Sequence, residues 1–587
     1  MFLRCTTRKK DGKEHRYWNV VENRRVSGGR VVQRQVLYLG EINGSQRESW
    51  RKTIEVFEDG AATAQTMALF PEDCPIETDD ASVVQVRLKD VELVRPRQWG
   101  GCWLACTLYE QVGLDKFWAE KLAPSRKGTR WDLIIQALCG YRLMEPGSEW
   151  RLHRHWYEKS AMADLLGAGF ELAEIHKLYD CLDRLMEHKE ALFAHLTGRW
   201  KDLFNAKFDV LLYDLTSTYF ESNPPFPEGD KRKYGYSRDK RFDCVQLVIA
   251  LVVTPEGFPL AYEVMAGNTA DNTTLRGFLK KIEAQYGKAE RIWVMDRGIP
   301  TEEVLEEMRQ SDPPVSYLVG TPKGRLSRYE KALTDRAWHK VREGVEVKLL
   351  PQDNEVYVLA QSRDRIHKER SMRRRQMKRL WKRLHELVGM ELTRDELLLK
   401  LGAARQQSPS AWRLVNIHIP EADDLLQFSL RRDKLRKVRR REGRYLLRTN
   451  LVGRDPAQMW EFYMQLVQVE EAFKNLKGDL AIRPIHHQKE KRIEAHIFVA
   501  FIAYALQVTL RRRLRDLAPG LTPRSVLEKF SAMQMIDIHL PTTDGRKIIM
   551  SRYTQPKPEL QILLQQLRLS LPKQPPPRVT AQGEVIT

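Results

Sequence analysis

Three acidic residues stand where a carboxylate is either costly or well placed for chemistry. Asp214 ends the apolar run KFDVLLYD (207–214) and Asp296 ends RIWVMD (291–296), so each reads as a carboxylate delivered at the end of a strand. Glu470 lies in DPAQMWEFYMQLVQVEEAFKNLK (455–477), which reads as one amphipathic helix with Asp455 as N-cap, Pro456 at the first helical position and Gly478 beyond its end. Tyr463, Leu466, Phe473 and Leu476 mark its apolar side, and their spacing turns Glu470 inward while Glu471 shares a face with Lys474 and Asn475. A buried carboxylate has to be paired, protonated or metal-bound. A salt bridge to an arginine would satisfy Glu470, and so would a cation shared with the two aspartates. The intervals are 82 residues (296 − 214) and 174 residues (470 − 296). Three carboxylates converging at a sheet edge suit hard divalent cations, which take oxygen ligands. Two such ions can activate a water or a 3′-hydroxyl and stabilise the leaving oxygen of a phosphodiester. The chemistry implied is nucleotidyl transfer.

The surrounding pattern supplies strands and helices to hold these groups. VQLVIALVV (245–253) turns at Pro255-Glu256-Gly257 into FPLAYEVMAG, an antiparallel hairpin. A helix follows from about Thr273 to Tyr286, Thr301 caps another (EEVLEEMRQ), and SYLVG (316–320) is a further strand. Three strands, a helix, a strand, a helix and a strand make a mixed α/β sheet, a class that carries its chemistry at strand ends. Between Gly320 and Asp455 lies a long insertion with two short strands, VEVKLL and EVYVLA, and a very basic helix. That helix holds eleven Lys or Arg between Arg363 and His385, over an apolar stripe of Met377, Leu380, Trp381, Leu384, Leu387 and Val388. A second run, RRDKLRKVRRREGR (431–444), carries nine cations in fourteen residues before the strand-like YLLRTNL. Two such runs in one insertion favour phosphate contact, with Arg373, Arg374, Arg375, Lys378, Arg439 and Arg440 as the expected DNA-binding residues.

The composition agrees. With 98 Lys+Arg against 78 Asp+Glu the net charge is +20, which points to a polyanionic partner. At 587 residues with 42% apolar content, two to four domains are expected. Seven cysteines form no CxxC pair, consistent with reduced thiols, and Cys102 and Cys106 read as core residues. There is no signal-peptide run and no uninterrupted apolar span of about 18 residues. A soluble cytoplasmic protein is expected, and the apolar helix from about Arg492 to Leu514 reads as core. Residues 17–42 form a hairpin around Ser27-Gly28-Gly29, residues 46–70 look helical, 83–96 look like strands, and QPPPRVTAQGEVIT after Lys573 has the composition of a disordered tail. The expected division is 1–95, an N-terminal hairpin region that either contacts DNA or is an ordinary solvated hairpin; 96–205, helical; 206–320, the first part of a catalytic core; 321–450, the basic insertion; 451–515, the second part of the core; and 516–587, a C-terminal region.

Several segments carry a resemblance: LLYDLTSTYF around Asp214, YGYSRDKRFD (234–243), GNTADNTTL (267–275), WVMDRGI around Asp296, and YMQLVQVEEAFKNLKGDLAIRPIHH followed by RIEAHIFVAF within 463–502. In these motifs, and in their order over most of 200–515, the chain resembles the IS4-type DDE transposases, particularly the IS1634-like branch. The resemblance implies an RNase H-like fold with a β-rich insertion before the glutamate helix. It also implies cutting and joining at insertion-sequence ends with Mg²⁺ or Mn²⁺, two ions being expected. Asp214, Asp296 and Glu470 match the catalytic, metal-binding triad. Tyr463 and Lys477 match the outer positions of the family's Tyr-Arg-Glu-Lys signature, seven residues either side of Glu470, so both are expected DNA contacts, Lys477 reaching a phosphate with Lys474 beside it. Arg297 and Gly298 match the DRG after the second aspartate, and Arg297 joins the expected DNA contacts. Leu466 stands where the signature has arginine, which leaves that phosphate clamp unfilled. The implied partners are double-stranded DNA, as terminal inverted repeats and target, and a second copy in the DNA complex; the implied location is the bacterial nucleoid. Trp338 and Trp381 are candidates for holding a flipped base, although the apolar stripe favours packing for Trp381. The rivals are a metal nuclease of the same fold that does not join ends, and a non-catalytic DNA-binding derivative.

Overall fold

The computed structural model describes the chain apart from residues 11–12, 26–30, 43, 45, 49, 52–85, 322–328, 330–331, 334–335, 353, 391, 420–425, 544 and 581–587. Its first elements are β1 (Phe2–Lys10), β2 (Lys13–Arg25), β3 (Val31–Glu41) and β4 (Glu92–Gln98), then helices α1 (Gly100–Gln111), α2 (Leu114–Lys121), α3 (Trp131–Met144), α4 (Ile175–Leu185) and α5 (Lys189–Phe204). A mixed region follows, with β5 (Val210–Phe220), β6 (Val245–Val253), β7 (Pro259–Ala266), α6 (Leu275–Tyr286), β8 (Ile292–Met295), α7 (Glu302–Gln310) and β9 (Ser316–Thr321). The insertion contains β10 (His339–Arg342), β11 (Val345–Gln352), β12 (Glu355–Ser362), α8 (Arg363–Val388), α9 (Arg394–Gln407), β13 (Val415–His418), β14 (Gln427–Leu430), α10 (Arg432–Arg441) and β15 (Arg444–Thr449). The chain closes with α11 (Pro456–Met464), α12 (Val467–Lys477), α13 (Glu490–Leu517), α14 (Pro523–Phe530), β16 (Gln534–Pro541), β17 (Lys547–Tyr553), α15 (Pro558–Gln566) and β18 (Arg578–Val579).

Two compact units result. The first comprises Met1–Arg8, His15–Ala289 and Val467–Thr587. Its centre is α13, long and apolar enough to cross a membrane, yet 94% of its most apolar stretch is buried within the protein. It contacts α1, α3, α4 and α12, so it is the core helix that its mixed charges predict. β5, β6 and β7 form an antiparallel meander, with Asp214 opposite Leu251. Here the structure corrects the sequence reading, because Asp214 sits within β5 rather than at its end. TSTYF continues the strand, and its hydroxyl-bearing and aromatic residues suit a buried pleated surface, where Thr216, Ser217 and Thr218 are all buried. The N-terminal hairpin is β2–β3, and β1, which the sequence reading passed over, makes it three-stranded. Most of the helix expected at 46–70 lies outside the described residues, as do residues 83–85. Of the expected disordered tail, residues 574–580 are described and include a strand, while 581–587 lie outside the described residues. β18 pairs with β17 in a sheet of order β18-β17-β16-β4, and the Gln574 amide both accepts from and donates to the Tyr553 backbone.

The second unit comprises Lys9–Glu14 and Glu290–Leu466. Its mixed sheet runs β10-β11-β12-β15-β9-β8, antiparallel except for the parallel pair β8–β9 that α7 connects. Thr301 caps α7 by accepting from the Val304 N–H. Arg448 of β15 ties the sheet to that helix, reaching Glu355 and Glu302 at 2.7 Å each. The stripe on α8 packs as its spacing predicts: Leu380, Leu384 and Leu387 are buried in a separate small core with α9 and β13, and Met377, Trp381 and Val388 lie against it. Trp381 is therefore a packing residue, edge-on to Phe428.

Candidate active site

Glu470 departs most from expectation. The stretch 455–477 is two helices, not one, with a turn at Gln465–Leu466 that also marks the boundary between the units. Asp455 does cap the first, accepting from the Ala457 N–H at 3.1 Å. The turn resets the helical phase, so the buried stripe of α12 is Val469, Ala472, Phe473 and Leu476. Glu470 is consequently exposed rather than inward, and seven-residue spacing no longer puts it on one continuous face with Tyr463. Glu471 is the glutamate with an arginine partner, Arg511 at 3.0 Å. Among the described residues Glu470 makes no salt bridge. α12 packs on β5, the strand that carries half-buried Asp214.

Lys477, expected to reach a DNA phosphate, is held here by the protein's own groups. It donates to the largely buried Asp239 at 2.8 Å, and Arg483 pairs with the same Oδ1. Burial pulls the Lys477 ammonium below the usual lysine range, and Asp239 opposes that pull. A side chain so committed does not face solvent, whereas Lys474, one turn earlier, is exposed. Asp239 belongs to the YGYSRDKRFD segment, whose charge alternation gave no hint that its acid is buried.

In the second unit Asp296 follows β8 directly, as the sequence predicts, and is exposed; its Oδ1 accepts the Arg297 N–H at 2.7 Å. Arg297 is exposed too. Asp296 and Tyr463 both approach Gly320 of β9: a Cβ at Gly320 would lie 3.2 Å from both the Asp296 Oδ1 and the Tyr463 hydroxyl. Burial, reinforced by Asp296, pushes the Tyr463 phenol up to about 12. A lone glycine at a strand end was the only signal for this close approach.

The basic runs divide. Arg374, Arg375 and Lys378 of α8 and Arg439 and Arg440 of α10 are exposed. Arg373, expected among the DNA contacts, is instead paired with buried Glu442 beside Arg370, because its position on α8 turns toward the protein. Trp338 is half-buried beneath two cations, Lys348 at 4.9 Å and Arg444 at 5.8 Å from its ring.

Sequence reading also missed a buried cluster in the first unit, Glu149, His487 and His496, whose ligand atoms lie within 4.8 Å of one another. The Arg142 guanidinium donates to the His496 Nδ1 at 3.3 Å and lies 3.7 Å from Glu149. A resident guanidinium supplies the positive charge a metal would bring, so this is a hydrogen-bonded charge network. It holds the segment after α12: Arg142 also bonds the Ala481 carbonyl and His496 the Ile482 carbonyl, both at 3.3 Å. The adjacent histidines of RPIHH were the available signal.

Comparison with known proteins fits these observations. A family model described as the transposase DDE domain matches residues 205–506, and the chain belongs to that family. Residues 3–62 match the N-terminal domain of the IS1634 family transposases, which makes the protein an IS1634-like insertion-sequence transposase. Transposases of this kind bind DNA, and DDE domains in general depend on divalent metal. No curated protein matches the sequence. Among solved structures, a piggyBac transposase synaptic complex with hairpin DNA aligns at 10% identity with a TM-score of 0.34, over 77% of this chain and 82% of that one.

Proposed function

We propose that this transposase cuts at terminal inverted repeats and joins the freed 3′-hydroxyls to target DNA, with Asp214, Asp296 and Glu470 as its catalytic carboxylates. The observation that carries this reading is the DDE domain match over 205–506, which spans all three motifs. The donor set fits the implied cofactor: Glu470 and Asp296 are exposed carboxylates, and an all-oxygen set suits Mg²⁺ or Mn²⁺, two ions being the natural number for phosphodiester chemistry. Bound there, the ions would supply activation of the attacking oxygen and charge compensation at the scissile phosphate. The chain itself has to bring the carboxylates to the phosphate and hold the DNA. Tyr463 approaches the same glycine, Gly320, as Asp296, while exposed Lys474 and Arg297 are suited to the flanking phosphates. Arg374, Arg375, Lys378, Arg439 and Arg440 extend that cationic surface along the insertion, and the N-terminal sheet, with exposed Arg4, Arg8 and Arg34, is assigned to repeat recognition. The meander β5–β7, then α6, β8, α7 and β9, supports the RNase H-like fold, with 206–320 and 451–515 as the two parts of the catalytic core. A homodimer in the DNA complex and a place at the bacterial nucleoid belong to the same reading. Asp214→Asn, Asp296→Asn and Glu470→Gln should each abolish Mg²⁺-dependent cleavage of a terminal-repeat duplex while retaining DNA binding; undiminished cleavage by any one sinks the assignment. A strand-transfer assay on pre-cut ends then separates a transposase mechanism from a nuclease that only cuts.

A further inference from the structure

The segment between β5 and β6 presents aromatic rings in a way that folding does not require. Tyr234, Tyr236 and Phe242 are 53%, 78% and 66% exposed within nine residues of chain. Single exposed rings are ordinary, but three on one short loop make a patch that usually marks a binding surface.

The loop beneath them is fixed. Lys233 and Gln246 exchange backbone hydrogen bonds at 3.0 and 3.2 Å, and the buried Gln246 amide donates to the Tyr236 carbonyl at 3.1 Å and the Gly267 carbonyl at 2.8 Å. A Cβ at Gly235 would lie 2.1 Å from the Gly267 carbonyl oxygen, so only glycine allows this contact. The Ser217 hydroxyl of β5 accepts the Arg238 N–H at 3.2 Å, and Ser237 accepts that of Arg241 at 3.0 Å. Asp239 binds the loop to Lys477 on the glutamate helix. The rings therefore ride on a rigid base tied to both β5 and α12.

The charges are sorted as well. Arg232, Arg238 and Arg241 are each paired with a neighbouring acid, and Lys231 with Glu490 and Glu494, so these cations serve the loop itself. Lys233 and Lys240 are exposed and make no salt bridge among the described residues. Rings interleaved with outward lysines suit single-stranded nucleic acid, whose open base faces stack while its phosphates meet cations. Paired bases in a duplex already stack on one another and offer no such face without an unstacking cost.

We propose that the loop 233–243 is a stacking platform for unpaired nucleotides at a DNA end, with Tyr234, Tyr236 and Phe242 taking the bases and Lys233 and Lys240 the phosphates. The inference rests on the cut-and-join reading only for the source of such an end. The test measures binding without divalent metal, by fluorescence anisotropy, to a duplex with a short thymidine overhang and to the blunt duplex of the same sequence. The full-length wild type should favour the overhang. Tyr236→Ala and Phe242→Ala should each weaken overhang binding roughly tenfold and leave blunt binding unchanged, with Tyr236→Phe close to wild type. Equal losses on both probes, or none, overturn the proposal. So does a changed sedimentation of the DNA-free protein with overhang binding intact, which would make the patch a contact between copies. Failure of the cut-and-join reading shows separately, as wild-type protein that does not cleave its own terminal repeats with Mn²⁺ whatever these titrations give.

Discussion

Replacing Asp239 by Asn probes how the glutamate helix is held. The carboxylate is largely buried and serves both Lys477, at 2.8 Å, and Arg483. Removing one partner of a buried ion pair costs about 3–5 kcal/mol, because the cation left behind stays desolvated. Asparagine keeps an acceptor and Arg483 is partly solvated, so the cost expected is at the lower end, about 3 kcal/mol. A chain of two units does not unfold in one step, so the readout should be local. Hydrogen exchange of the α12 amides should quicken roughly a hundredfold, at about 1.36 kcal/mol per factor of ten. The pH dependence has a definite sign. Burial depresses the folded pKa of Lys477 below its unfolded value, so between the two the unfolded state binds more protons and stability rises with pH; the penalty is complete below the folded value. Without Asp239 the folded value falls further, and the variant should recover more than wild type as pH rises toward the ordinary lysine range. Unchanged α12 exchange at neutral pH would refute this account of the pair, and equal pH slopes would refute the role given to Lys477.

Two further outcomes follow from close contacts. Gly320→Ala puts a methyl group 3.2 Å from the Asp296 carboxylate and the Tyr463 hydroxyl and 3.3 Å from the Arg297 backbone nitrogen, so these neighbours must give by a few tenths of an ångström; with Asp296 in its proposed catalytic role, cleavage should drop roughly tenfold with DNA affinity retained, a smaller loss than the roughly hundredfold that a misplacement of about 1 Å brings, and wild-type cleavage would refute the importance of this close approach. Burial, aided by Arg142, lowers His496 to about 4 from 6.5, so the unfolded chain takes up that proton first and stability falls as pH drops through 6.5 toward 4. His496→Gln, which cannot titrate, should flatten that part of the thermal-stability profile against pH, and an unaltered profile would remove His496 as its source.

Much of this protein could be read along the chain. Element order from β5 to β9, the cap at Thr301, the end of β8 at Asp296 and the apolar stripe of α8 all depend on residues within a few positions of one another, and local periodicity reports such relations well. The family was legible for the same reason, as its motifs are contiguous. What failed was any inference that carried phase or solvation across a turn. The spacing from Tyr463 to Glu470 assumed one unbroken helix, and a two-residue turn at Gln465–Leu466 was enough to expose Glu470 and pair Glu471 with Arg511. Lys477 and Arg373 looked like outward cations because their buried partners, Asp239 and Glu442, lie 238 and 69 residues away in sequence. The tail after Lys573 read as disordered, and the strand at Arg578–Val579 comes from its pairing with β17, which leaves no local mark on the tail itself. The sequence by itself thus determined which residue types are present for the chemistry and which short elements carry them. Only the tertiary structure decided which charges are spent on the protein's own ion pairs and which remain exposed, since that depends on desolvation by distant segments.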